Sequence, residues 1–145
     1  MSDNGVQILF ICTGNTCRSP MAEYLVNASA MAVKAVSAGL YAFDGEAMSA
    51  NSLAVLAEAG IDGRAFRSQS VTWDLVNDSS LILTMTSSHR RELLKRYPQA
   101  EKKCFTLLQG SEVSDPYGQN CDVYRKTMTE IRRGIADWME FLTKQ

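Results

Sequence analysis

The chain has 145 residues, 46% hydrophobic and 21% charged, with a formal net charge of −1, values that describe one ordinary globular domain able to bury about two-thirds of its unfolded surface. That charge balance argues against a nucleic-acid binder, which carries a clear basic excess, and no apolar stretch approaches the ~20 residues needed to span a bilayer. Met1-Ser2-Asp3-Asn4 lacks the basic start of a secretory signal, so a single cytoplasmic domain over 1–145 is expected.

Taken in order, Val6 to Ile11, with the apolar run Ile8-Leu9-Phe10-Ile11, predicts a buried first strand. The stretch Cys12-Thr13-Gly14-Asn15-Thr16-Cys17-Arg18-Ser19-Pro20 follows. Beyond it Met21, Leu25 and Ala28, at i, i+4 and i+7, predict a helix to about Met31. Pro20 suits the first turn of that helix, because the N–H it lacks would have no intrahelical partner. The nine residues therefore turn from the carboxyl end of a strand into a helix N-terminus. Unpaired N–H groups and about half a positive charge make such a place an anion site. Gly14 is expected to adopt a positive φ and let successive amides turn inward as a nest. Arg18 adds a planar two-donor fork suited to a tetrahedral oxyanion. The same field favours a thiolate at the mouth of the loop. Cys12 is placed to be that thiolate, and Ser19 to donate a hydrogen bond to its sulfur.

Cys-x5-Arg-Ser is the phosphate-loop signature of cysteine-dependent phosphatases. The whole string, near the N-terminus and behind a strand, resembles the low-molecular-weight protein tyrosine phosphatases, whose loop reads Cys-x-Gly-Asn-x-Cys-Arg-Ser-Pro. Within that family Thr16 is similar to the bacterial protein-arginine phosphatases, whereas tyrosine-directed members commonly carry Ile there. The bare Cys-x5-Arg pattern arises often by chance and the nine-residue string does not; the competing reading is an inert Cys12 buried in a tight turn. The resemblance covers nearly the whole chain. It implies an α/β three-layer fold, with a four-stranded parallel sheet of order 2-1-3-4 and helices on both faces. It also implies that Thr13, Gly14, Asn15, Thr16, Cys17, Arg18 and Ser19 bind phosphate.

Lys34-Ala35-Val36-Ser37 reads as a short second strand ending at Ala38-Gly39, and Ser-Ala-Gly recurs here in the resembling family, beside the phosphate loop. Leu40 to Met48 is a loop with Asp44-Gly45 as turn chemistry. Tyr41 and Phe43 lie in it; an aromatic here lines a pocket wall in related enzymes, and capping of the core edge is the alternative for each. Ser49 to Ala59 is a helix with Leu53 and Leu56 inward, closed by Gly60. After Arg64 and Arg67 comes a helical turn near Thr72 to Leu75. Leu81 to Met85 is the third strand. Ser87 or Ser88 then opens a helix carrying Arg90, Arg91, Lys95 and Arg96, read as a solvated face rather than a docking surface for acidic partners. His89 reads as a surface histidine unless it points to the pocket.

Lys103 to Leu107 is the fourth strand, and Gln109 to about Asn120 a loop holding Asp115-Pro116-Tyr117-Gly118. Tyr124, Met128, Ile131, Ile135, Trp138 and Leu142 form one apolar stripe on a final helix, a core face rather than a cofactor box. Alternating strands and helices indicate a parallel sheet covered on both faces, with the ligand site at the carboxyl ends of strands.

The chemistry follows from the loop. A Cys12 thiolate displaces the leaving group from phosphorus, and water later hydrolyses the phosphocysteine. Arg18 and the amides stabilise the equatorial charge. Asp115, which resembles the family's Asp-Pro acid, protonates the leaving group and then takes the water's proton; by itself it reads more readily as a turn residue before Pro116, and the Cys12 loop tips the reading to the acid. Tyr117 is followed by Gly118, where tyrosine-directed relatives often have two aromatics, and this too is similar to the arginine type. Thr16, Tyr41 and Tyr117 are the pocket candidates, with phosphoarginine the favoured substrate and phosphotyrosine the alternative. Cys12 and Cys17 are a redox pair in prospect, with Cys17 as loop packing the other reading; Cys104 and Cys121 read as packing residues, all four kept reduced. A single histidine and no Cys-x2-Cys argue against a zinc site. No cofactor is expected, the partners are phosphorylated proteins, and a monomer or weak dimer is foreseen. An arsenate reductase of this fold would need a cysteine just after the third strand, where Met85-Thr86-Ser87-Ser88-His89 has none. A dithiol oxidoreductase does not fit the spacing or Arg18, and a silent phosphoprotein-binding module would have no need of Cys12, Arg18 and Asp115 together.

Overall fold

Alternate residues of β1 (Val6–Cys12) feed two separate cores. Ile8 and Phe10 point to one face and Leu9 and Ile11 to the other, and all four are fully buried. A strand covered on both faces needs a continuous apolar run rather than an alternating one, and that is what the sequence supplies. The computed structural model describes residues 5–144; Met1 to Asn4, where the sequence lacks a basic leader start, lie outside them.

β1 sits second in a four-stranded parallel sheet of order β2-β1-β3-β4, with β2 at Val33–Gly39, β3 at Leu81–Thr84 and β4 at Cys104–Thr106. One face is covered by α1 (Arg18–Asn27), α2 (Ala50–Glu58) and α5 (Cys121–Thr143), which also pack on one another. The other carries α3 (Trp73–Asp78) and α4 (Ser87–Arg96) over Leu9, Ile11 and Ile82. The α5 stripe is as expected: Tyr124, Met128 and Ile131 are buried, while Ile135, Trp138 and Leu142 pack at its partly buried end. Leu56 is inward on α2, and Gly60 ends that helix at φ +79°. Among the described residues no helix is long and apolar enough to cross a membrane.

Several boundaries differ from the expectation, β3 ending at Thr84 rather than Met85 and β4 at Thr106 rather than Leu107. α1 stops at Asn27 rather than near Met31, because the Asn27 side chain clasps β2, donating to Ala35 O at 2.9 Å and accepting from Ala35 N at 2.8 Å. α4 is capped by Thr86, whose hydroxyl accepts from His89 N, rather than by Ser87 or Ser88. β4 is shortened at its start by a 3-10 helix over Pro98–Lys103.

Candidate active site

The carboxyl end of β1 runs into residues 13–17 and then into α1, so the loop closes over the N-terminus of that helix. Its neighbours hold it on two sides. From the turn after β2, Leu40 N donates to Cys12 O and Tyr41 N to Thr13 O, each at 3.0 Å. At Gly39 a Cβ would stand 2.5 Å from Thr13 O and 2.8 Å from the Ala42 side chain, so only glycine lets strand and loop approach this closely. On the α2 side, Ser49 N donates to Thr16 O at 2.9 Å.

The left-handed residue of the loop is Asn15, at φ 59°, and not Gly14. The expectation for Gly14 fails because asparagine tolerates this conformation and here its side chain locks it in place. Asn15 is fully buried; Nδ2 donates to Ser19 Oγ (2.9 Å) and Ser37 Oγ (3.0 Å), and Oδ1 accepts from Gln69 N (2.9 Å). Gly14 lines the cleft, and a Cβ there would meet no atom within 4 Å. Among the described residues, the backbone N–H groups of Gly14 to Cys17 donate to no protein acceptor, which leaves them for an anion.

Cys12 is 3% exposed, and its Sγ lies 2.8 Å from Ser19 Oγ. Since Ser19 Oγ already accepts from Asn15, its own proton is free to point at the sulfur, an arrangement that suits a thiolate. The chain of contacts continues inward: Ser37 Oγ donates to Glu23 Oε1 at 2.6 Å, and burial pushes the Glu23 carboxyl above its ordinary range.

Arg18 is buried beneath the cleft, donating from Nη1 to Val113 O at 3.2 Å with Nη2 3.7 Å from Asp115 Oδ2. Asp115 is the exposed partner, its side chain 58% accessible against 7% for Arg18. Its loop is fastened on both sides. Glu112 Oε2 accepts from Ser87 N, Val113 N donates to Met85 O, and Ser114 N donates to Glu130 Oε1. Asp115 Oδ1 takes the Tyr117 N–H at 3.1 Å, a local turn that leaves Oδ2 facing Arg18.

Cys12, Thr13, Gly14, Asn15, Thr16, Cys17, Arg18, Asp115 and Tyr117 line one cleft of about 280 Å³. The fold thus brings together residues a hundred positions apart in sequence. Tyr41 is not among the lining residues. Its backbone holds Thr13 O, but its ring turns to α4, where the hydroxyl donates to Glu92 (3.1 Å) and the Arg96 guanidinium sits 4.9 Å over the ring. Phe43 is 75% exposed.

Cys17 turns away from the cleft floor: its sulfur lies 3.3 Å from the Tyr124 hydroxyl and 3.5 Å from Ser49 Oγ. Burial, with Cys17 adding to it, pushes Tyr124 up to about 12. Cys104 is a core residue whose thiol burial pushes up to about 11, and Cys121 donates to Asn51 Oδ1 at 3.2 Å. Among the described residues, no cluster of three or more His, Cys, Asp or Glu could hold a metal ion.

His89 corrects the sequence reading. It is 8% exposed rather than on the surface, with Nε2 2.8 Å from Thr13 Oγ1 and Nδ1 3.0 Å from Thr86 Oγ1. Burial first, and the nearby Arg18 cation second, push it down to about 4, so the ring is neutral at pH 7. The available signal was its place, at the start of the helix that follows β3.

A family model described as low molecular weight phosphotyrosine protein phosphatase matches residues 7–145. The chain is 39% identical over 131 residues to a protein-arginine-phosphatase of Geobacillus stearothermophilus, covering 86% of this chain and 88% of that one. It is 34% identical over 134 residues to a probable low molecular weight protein-tyrosine-phosphatase EpsP of Ralstonia solanacearum, covering 91% and 92%. Among solved structures, a YwlE arginine phosphatase from Geobacillus stearothermophilus aligns with a TM-score of 0.91 at 36% identity, over 96% of this chain and 94% of that one.

Proposed function

The chain belongs to the low molecular weight phosphotyrosine protein phosphatase family, and we propose that it removes phosphate from arginine side chains of proteins through a phosphocysteine at Cys12. The observation that carries the chemistry is the meeting of a buried sulfur, a buried guanidinium and an exposed carboxyl in one cleft. The Cys12 thiolate, held by the Ser19 hydroxyl, attacks phosphorus as the P–N bond breaks. The loop N–H groups and Arg18 hold the three equatorial oxygens. Asp115, at the mouth and within reach of solvent, gives its proton to the departing guanidine nitrogen. As a carboxylate it then takes a proton from the water that cleaves the S–P bond, releasing phosphate and restoring the thiolate.

The arginine assignment is supported by Thr16, a hydroxyl at the cleft lining, and by the arginine-phosphatase relatives. A guanidine leaving group carries N–H donors, and a hydroxyl can accept one where an aliphatic side chain leaves it unpaired. Phosphotyrosine is the second reading, favoured by Tyr117, a 74% exposed ring at the same rim, and by the tyrosine-phosphatase relative. The substrates are phosphorylated proteins of the cytoplasm, whose reducing conditions keep the nucleophile a thiol, and the enzyme acts as a monomer or weak dimer. Measured kcat/KM for phosphoarginine and phosphotyrosine peptides decides between the readings. A preference for phosphoarginine is expected, and a preference for phosphotyrosine would overturn the assignment.

A further inference from the structure

We propose, resting on the phosphatase reading of the same cleft, that His89 is a positioning residue for the phosphate loop, acting through the side chain of Thr13. Thr13 is the first loop residue after the nucleophile and lines the cleft. Its backbone is tied to the β2 side by Tyr41 N on its carbonyl, with Gly39 packed against the same oxygen. Its side chain reaches the opposite way, across β3 to α4, where His89 Nε2 meets Oγ1 at 2.8 Å. Thr13 is thus clamped between the elements on either side of β1, and His89 is the whole of the α4 half of the clamp.

The ring is itself oriented. Thr86 Oγ1 accepts from His89 N at 3.1 Å as the helix cap and meets Nδ1 at 3.0 Å, so one hydroxyl sets both the start of α4 and the plane of the imidazole. The ring is neutral, so one nitrogen donates and the other accepts. In either tautomer Nε2 and Thr13 Oγ1 share one proton, and Thr13 Oγ1 keeps a lone pair for a group entering the cleft. A buried, doubly hydrogen-bonded imidazole is a more rigid support than a long side chain, and small displacements of a reacting group are costly in rate. Arg18 and Asp115 both act on the ring electrostatically, which places it against the reaction centre rather than out on the helix surface.

The test is a mutant cycle on the full chain, with p-nitrophenyl phosphate as substrate and inorganic phosphate as competitive inhibitor. His89→Phe keeps a ring but no hydrogen bond, and Thr13→Val removes the hydroxyl. Each should lower kcat about tenfold, the worth of one hydrogen bond. The double variant should fall no further than either single one, and His89→Gln, which can return a donor to Thr13, should recover most of the loss. Should His89→Phe fold poorly, Thr13→Val by itself keeps the proposal falsifiable, because Thr13 is exposed and its replacement leaves the core intact. Additive losses in the double variant, or parental kcat in Thr13→Val, would overturn the proposal. So would a loss confined to thermal stability with kcat unchanged.

Discussion

The cysteine loop and the aspartate loop face each other across one cleft, yet they are built in opposite ways. Cys12, Asn15, Arg18 and Ser19 are almost wholly buried and hydrogen-bonded to one another, to Ser37 or to the Val113 carbonyl. Asp115 stands more than half exposed, with one turn contact and a 3.7 Å approach to Arg18. The difference suits the roles proposed for the two loops. A thiolate and an oxyanion cradle gain from a dry, preorganised surround that needs no rearrangement as charge develops. An acid that must receive leaving groups and later admit water gains from standing at the edge.

Removing either half breaks the comparison in a different way. Cys12→Ser should reduce turnover on the order of a millionfold while inorganic phosphate still binds, because the cradle is backbone and Arg18. Steady-state assays alongside phosphate titration check this, and appreciable residual turnover would sink it. Asp115→Asn should cost about 10²- to 10⁴-fold for substrates whose leaving group needs a proton, and far less for good leaving groups. A series of aryl phosphates of graded leaving ability reads this out; equal slowing of all would argue against an acid role.

Thr16 lines the cleft between the two halves, and Thr16→Ile probes the proposed selection there. Isoleucine is close in size at Cβ but accepts no hydrogen bond. The kcat/KM ratio of phosphoarginine to phosphotyrosine should fall about ten- to a hundredfold, chiefly through the former. An unchanged ratio would remove Thr16 as selector.

Redox behaviour should belong to the buried half. Oxidised Cys12 would condense with the Cys17 thiol to a disulfide with loss of water, drawing that sulfur away from Tyr124 and Ser49. After peroxide and then a thiol reductant, activity should return in the parent and not in Cys17→Ala.

The smallest effect is on stability. His89 folds with its ionisation lowered from 6.5 to about 4. The unfolded chain therefore binds a proton that the folded chain refuses as pH falls below 6.5, so the contribution of the neutral ring is complete above 6.5 and is lost on descending to about 4. Melting temperatures over that range should drop more steeply for the parent than for His89→Gln; parallel curves would contradict the assignment.

Much of this was legible in the residues. β1 announces itself because its doubly covered part, Ile8 to Ile11, is a continuous apolar run, and α5 because one amphipathic face repeats over about five turns. The cradle was legible as a string because its parts are contiguous. What escaped is what depends on partners distant in sequence. Asn15 takes the left-handed position through Ser37 and Gln69, contacts that no local rule reveals, so glycine was the natural expectation. His89 reads as a surface residue on a basic helix until β3 and α4 are packed beside Thr13. Tyr41 borders the loop by its backbone, yet Arg96 and Glu92 draw its ring to α4.

In the proposed mechanism phosphorus passes through the sulfur of Cys12. Rapid acid quench of the Asp115→Asn variant in mid-turnover, followed by mass spectrometry of its peptides, tests this directly. A phosphoryl group is expected on the peptide containing Cys12, at that residue, disappearing as product forms. A phosphoryl group on any other residue, or turnover with Cys12 unmodified throughout, would contradict it.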